Sequence, residues 1–340
     1  MRAGKASRLL LLLAGTMMAL ALLELAVRAL GLAPGLAAIE IDEPYGAFVS
    51  SPDPRLAYVP KPGSGDINAD GFRDRDFGRS KPQGTYRIVV IGDSIGFGYC
   101  NETRAIPVDR TFPRLLENEL NADGPTGIDR FEVLNFSVSG YDTIQEAAFL
   151  EAKALAYDPD LVLVAFCLND LTLASRELFL LNKDTDWNAY RETAELLYRN
   201  AIFRSHLVRL VWYRLSSRPA DSGIEETTDG SPRGMPRALQ GFRELRRLSS
   251  ESGFETLVVI FPMFREFERY PSRHQHDAIA AAARAHGFDA FDLLPSYAEA
   301  SHAADLCTPC CDLHPNQDGH AVTATAIAAH LRRTLDRSNP

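Results

Sequence analysis

The sequence predicts an α/β fold built on a mainly parallel sheet of five strands. Short β-branched and aromatic runs recur along the chain at Ile88-Val-Val-Ile91, Phe131–Val138, Leu161–Phe166, Thr256–Phe261 and Ala290–Leu293. Segments of helical periodicity separate them, which is the alternation of parallel strands joined by right-handed crossovers. Most of the runs are apolar throughout rather than alternating, as expected of strands buried on both faces.

The chain of 340 residues opens with a segment of another kind. Arg2, Lys5 and Arg8 form a basic head, and Leu9–Leu23 carries neither charge nor proline. Continued through Leu32, the apolar stretch is long enough for a tilted membrane-spanning helix. Glu24 and Arg28 lie four apart on one face of it. Residues 1–32 are read as a single-pass inner-membrane anchor. The basic head stays in the cytoplasm and the remainder is exported to the periplasm. A small-residue pair, Ala19-Leu-Ala21, offers the alternative of a cleaved signal and a secreted protein. That pair lies inside the apolar run, which favours the anchor.

Residues 33–84 are rich in Pro, Gly and Asp and read as an extended linker. Within it, Ile67-Asn-Ala-Asp-Gly-Phe-Arg73 reads as a surface turn pinned by Phe72. The body, residues 85–340, follows. A helix is expected over Pro113–Leu120, with Pro113 in its first turn. Another is expected over Ile144–Ala156, capped by Thr143. The alternation breaks at about residues 171–235, where aromatics, arginines and then a polar tract form an insertion with helices near Ala189–Leu215. Such an insertion either shapes a substrate pocket or caps the sheet. Helices return at Pro236–Ser250, Ser272–His286 and Asp318–Leu335.

Composition narrows the function. A net charge of −9 argues against nucleic acid as a partner. The five cysteines are Cys100, Cys167, Cys307, Cys310 and Cys311. An exported chain admits disulfides, and an odd count leaves at least one cysteine outside an internal pair. The Cys307-x-x-Cys310-Cys311 cluster lacks the second cysteine pair of a structural zinc site. A disulfide there would stiffen the loop that carries His314.

Polar residues gather where the strands end. Asp93-Ser94 follows the first strand, Gly140 the second and Asn169 the third. Parallel strands point one way, so these positions share the sheet's C-terminal edge, where open α/β sheets bind ligands. The loop Asp312-Leu-His-Pro-Asn-Gln-Asp-Gly-His320, before the last helix, belongs to the same edge. A serine, a histidine, a carboxylate and amide donors are the inventory of acyl transfer. Ser94 is the candidate nucleophile and His314 the base that takes its proton. Asp312 is the acid that orients His314. The N–H of Ser94, the N–H of Gly140 and the Asn169 amide are candidate donors to the oxyanion. His320, in the final helix's first turn, reads as a structural partner rather than a base.

These residues and their order resemble the SGNH/GDSL hydrolase family. Gly-Asp-Ser94-x-Gly-Phe-Gly, Ser-Gly140-Tyr, Asn169-Asp and Asp-Leu-His314-Pro-Asn match its signature, and the likeness runs from about Ile67 to Leu331. The Ile67–Arg73 segment is similar to one in the membrane-anchored bacterial branch. The resemblance implies a flavodoxin-like three-layer sandwich, a serine nucleophile and a three-donor oxyanion hole. It implies a serine esterase acting on ester bonds, O-acetyl esters among them, on an acylated glycan or lipid and without cofactor or metal. Two features depart from the pattern. The family's acid lies three residues before the histidine, where this chain has Cys311; Asp312 lies two before. Asp305 and a backbone carbonyl are the alternatives for orienting His314. Cys167 stands where a glycine is common. Two other functions share the site: an O-acyltransferase acting on an envelope polysaccharide, and a catalytically silent envelope binding or assembly protein.

Overall fold

The computed structural model describes residues 2–30, 48–53, 55–56, 58–101, 104–171, 205–208, 210–211, 232, 234–264, 267, 270–300, 306 and 314–338. The chain divides into two compact units, one of residues 1–43 and 185–223, the other of residues 44–184 and 224–340. In the first, α1 spans Arg2–Ala29. Its stretch Leu11–Ala29 is long and apolar enough to cross a membrane, as an anchor or a signal sequence does.

The second unit holds a five-stranded parallel sheet. Its strands are β3 (Thr85–Gly92), β6 (Arg130–Asn135), β7 (Leu161–Cys167), β8 (Glu255–Phe261) and β9 (Asp289–Asp292). The spatial order is β6-β3-β7-β8-β9, every neighbouring pair parallel. This is the flavodoxin-like order, whose switch point falls at the C-terminal end of β3. Ile88–Ile91 and Val162–Phe166 are wholly buried, which explains their unbroken apolar pattern.

Alternate strand residues face opposite layers. Ile88, Val90, Val133, Leu163 and Val259 join one apolar core with α3 (Phe112–Ala122) and α8 (Gln317–Ser338). Phe166, on the opposite face, meets Phe242 of α5 (Met235–Ser252) with ring centroids 5.9 Å apart. On this side also run α4 (Thr143–Ala152) and α6 (Arg273–Ala285), whereas the short α7 (Leu294–Glu299) lies in the first core, where its Tyr297 hydroxyl donates to Gly319 O of α8 at 2.8 Å.

Local details differ from the sequence reading. The N-cap of α4 is Asp142, not Thr143: its carboxylate accepts from Gln145 N and the Gln145 side chain returns to the Asp142 amide. The helix ends at Ala152, and the expected remainder to Ala156 becomes a 3-10 turn over Ala154–Tyr157. α7 was not expected; Pro295 sits in its first turn. Residues 48–84, read as a linker, carry the antiparallel pair β1 (Phe48–Ser50) and β2 (Tyr58–Pro60), and Leu56, Tyr58, Ile67 and Phe72 are buried. Phe72 stacks on Phe136 with centroids 4.1 Å apart, so the turn around it is held against the body. The insertion at about 171–235 lies largely, and the Cys307–Cys311 cluster wholly, outside the described residues.

Candidate active site

β3 ends at Gly92, and the chain turns at once into α2 (Ser94–Phe97). Asp93 caps this single turn, its Oδ1 accepting from Ile95 N at 3.0 Å. Ser94 is the first helical residue, so its own N–H has no intrahelical acceptor. Gly96 is required by close packing: a Cβ there would lie 2.1 Å from the Ser137 hydroxyl. The turn therefore lies tightly against the end of β6 and the residues after it, where Asn135 Nδ2 also donates to Gly96 O at 2.9 Å, and Ser94 is held at the sheet's C-terminal edge.

His314 reaches the same point from the other end of the chain. Its Nε2 lies 2.8 Å from Ser94 Oγ. Ser94 Oγ lies 3.4 Å from Asp93 Oδ2. One hydroxyl proton serves one acceptor, and the shorter contact is to the imidazole. Tyr99, in the strand β4 (Tyr99–Asn101), meets the His314 ring edge-on with centroids 4.8 Å apart. β4 pairs with β5 (Arg104–Ala105) in a small hairpin beside α2.

Asn169 lies in the 3-10 turn after β7. Its Nδ2 donates to Asp93 Oδ2 at 2.8 Å. Asp93 is 1% exposed. Burial pushes its carboxyl up from the ordinary aspartate range, and the Ile95 amide, Asn169 and His314 oppose that shift.

Gly140 follows β6 in a turn with φ +80°. The buried Tyr58 donates from its hydroxyl to Ser139 O at 2.5 Å, and the Tyr141 hydroxyl donates to Tyr58 O. Burial raises the Tyr58 phenol, which keeps it a donor. Asp170 ties this turn to the Asn169 turn: Thr143 N donates to its Oδ2 at 3.0 Å, and the Thr143 hydroxyl donates to the same oxygen.

A match to the GDSL-like lipase/acylhydrolase family spans residues 90–322, more than half of the chain. The chain belongs to the GDSL-like lipase/acylhydrolase family. It is an ester-bond hydrolase. No curated protein matches it in sequence. Among solved structures it is similar to a lipase/acylhydrolase from Enterococcus faecalis, 17% identical over 73% of this chain and 96% of that one, with a TM-score of 0.43. It is similar to LAE5, an alpha/beta hydrolase from the metagenome of Lake Arreo, Spain, at 18% identity, 73% and 96% coverage and a TM-score of 0.43. The acetylxylan esterase Axe2 of Geobacillus stearothermophilus is 16% identical over 72% of this chain and 94% of that one, with a TM-score of 0.43.

Within this GDSL-like chain, Ser94, Asn169 and His314 gather around Asp93. Gly140 is the residue next to Ser139, whose carbonyl Tyr58 holds. Asp312 and Asp305 lie outside the described residues. Cys167 is a free, buried thiol, and burial pushes it well above the ordinary range. His320 is fully buried; its Nδ1 accepts from Phe112 N at 3.0 Å, capping α3. The sequence reading missed Tyr58, Tyr99 and the Asp93–Asn169 bond. Only Asp93 carried a signal, its place beside Ser94.

Proposed function

We propose that Ser94 is the nucleophile of a periplasmic serine esterase and that His314 is its base. The observation that carries this is the 2.8 Å contact between Ser94 Oγ and His314 Nε2 in a chain of this family. Ser94 Oγ attacks the ester carbonyl carbon, and its proton passes to His314 Nε2. The carbonyl oxygen becomes an oxyanion, met by the N–H of Ser94, the N–H of Gly140 and the side-chain amide of Asn169. The imidazolium then gives its proton to the alcohol oxygen as the C–O bond breaks. Water attacks the acyl-enzyme and loses a proton to His314, the acid departs, and the proton returns to Ser94. Asp312 is proposed to accept from His314 Nδ1–H and fix the tautomer. The cycle balances with these groups and water alone.

The helix α1 is proposed as an uncleaved anchor that keeps the enzyme on the outer face of the inner membrane. The ester is proposed to be carried by an envelope glycan or lipid, O-acetyl esters included. The test is hydrolysis of short and medium nitrophenyl esters by the full chain in detergent, beside its Ser94→Ala form. Turnover should fall by about 10⁴-fold or more. Turnover that survives the substitution would remove Ser94 from the chemistry.

A further inference from the structure

Glu24 is the one acidic residue in the apolar stretch Leu11–Ala29. A lone carboxylate in such a helix is costly in a membrane unless it is partnered. Arg28 Nε donates to it at 2.6 Å from one turn further on. Its other donors come from 181 to 183 residues away: Ser205 Oγ at 2.7 Å, His206 N at 2.9 Å and Leu207 N at 2.8 Å. Residues 206–208 are helical, and Ser205 Oγ accepts from Val208 N at 3.2 Å. Ser205 is thus the N-cap of a helical turn, serving its third amide, while Glu24 of α1 takes the first two. Both segments belong to the same compact unit.

The position of Glu24 decides where this happens. It lies five residues before Ala29, the end of the span, or about 7.5 Å along the helix axis. The basic head Arg2, Lys5 and Arg8 assigns that end to the outer side. With α1 as an anchor, the carboxylate sits near the outer water–lipid boundary, and the turn it caps sits there with it. The side chains suit that level: Leu207, Val208 and Leu210 are half-buried and Val211 is 48% exposed. Interfacial helices place apolar residues of this kind at the headgroup–acyl boundary.

We propose that the Ser205–Val211 segment is a membrane-surface element, lying in the outer headgroup layer and stapled to the anchor through Glu24. Its partner is the lipid bilayer. The proposal rests on the anchor reading of α1.

The test is fluorescence of the full chain in phosphatidylcholine vesicles with plain or brominated acyl chains, which quench tryptophan on contact. The two native tryptophans, Trp187 and Trp212, are replaced by Phe. One reporter is Leu20→Trp inside the span; the other is Val211→Trp. Both should lose most of their fluorescence in brominated vesicles. Adding Glu24→Ala should restore the Val211→Trp signal and leave Leu20→Trp quenched. If Leu20→Trp stays bright, the anchor reading falls and the proposal falls with it. If Leu20→Trp is quenched and Val211→Trp stays bright, the anchor stands and the Ser205–Val211 proposal is overturned. Quenching of Val211→Trp that Glu24→Ala leaves unchanged also overturns it, because the staple then does not hold the segment.

Discussion

Asp93 and Asn169 are joined by a 2.8 Å hydrogen bond, from the amide Nδ2 to the carboxylate Oδ2. The same carboxylate uses Oδ1 to take the Ile95 amide. Asp93 thus sets both the turn that presents Ser94 and the orientation of the Asn169 amide. Asparagine is no conservative replacement here, since it offers one acceptor where two donors must be met. Asp93→Asn and Asp93→Ala are each expected to lower kcat by about 10²-fold, the scale of losing one oxyanion donor, with KM little changed. The comparison is kcat and KM on a nitrophenyl ester, normalised to the serine titratable by a phosphonate. A rise in KM with kcat intact would place Asp93 in binding instead.

Gly140 combines two constraints. Its φ of +80° lies in the left-handed region, where a side chain costs roughly 1–2 kcal/mol. A Cβ would also lie 2.7 Å from the Tyr58 hydroxyl, which is bonded to Ser139 O. Gly140→Ala is expected to push this turn off Tyr58 and move the Gly140 N–H, lowering kcat by about 10²–10³-fold. Tyr58→Phe removes the bond without crowding and should cost less. Equal turnover of Gly140→Ala and the parent would remove Gly140 from the proposed oxyanion site.

Arg73 supports the turn that carries Ser94. It is 3% exposed and donates to Phe97 O at 2.7 Å and Ile106 O at 2.7 Å. Phe97 ends α2, and Ile106 N in turn donates to Gly98 O at 2.7 Å. One guanidinium therefore fixes the end of the Ser94 helix to the chain leaving the hairpin whose Tyr99 touches His314. Asn68 holds the preceding turn, its Oδ1 accepting from the Asp70 and Phe72 amides. Arg73→Met is expected to reduce kcat per titratable serine by about 10²-fold, as misplacement of a reacting group does. Arg73→Lys, able to reach one carbonyl, should recover part of it. A lower Tm with full kcat per titratable serine would make Arg73 purely structural.

The parts of this molecule legible in the sequence are those set by local periodicity. Runs such as Leu161–Phe166 are apolar because both faces are covered, and they marked the strands directly. The start of α4 was ambiguous for a chemical reason. Asp142-x-x-Gln145 and Thr143-x-x-Glu146 both satisfy the capping pattern. Tertiary contact decides between them, since Asp170 engages the Thr143 hydroxyl and amide. Residues 48–84 were harder, because Leu56, Tyr58 and Phe72 are buried singly, without a period, among prolines and glycines. Tyr58 meets Ser139 from 81 residues away and Asn169 meets Asp93 from 76. No spacing rule carries pairings of that length.

His320 gives the fold a pH dependence. It is fully buried, it accepts the Phe112 amide on Nδ1, and its Nε2 has no hydrogen-bond partner among the described residues. Burial is the main cause that pulls its pKa down from 6.5 to about 3, with Arg73 and His314 adding repulsion. The folded state thus holds this imidazole neutral, while the unfolded chain protonates it below about pH 6.5. The stability that the neutral ring contributes is complete above pH 6.5. It is lost as pH falls, by about 1.4 kcal/mol for each unit down to about pH 3. His320→Gln keeps an acceptor for the Phe112 amide and does not titrate. It is expected to flatten the urea-unfolding stability between pH 6 and about 4 by roughly one proton's worth of slope. An unchanged slope in His320→Gln would show that other groups set the acid response.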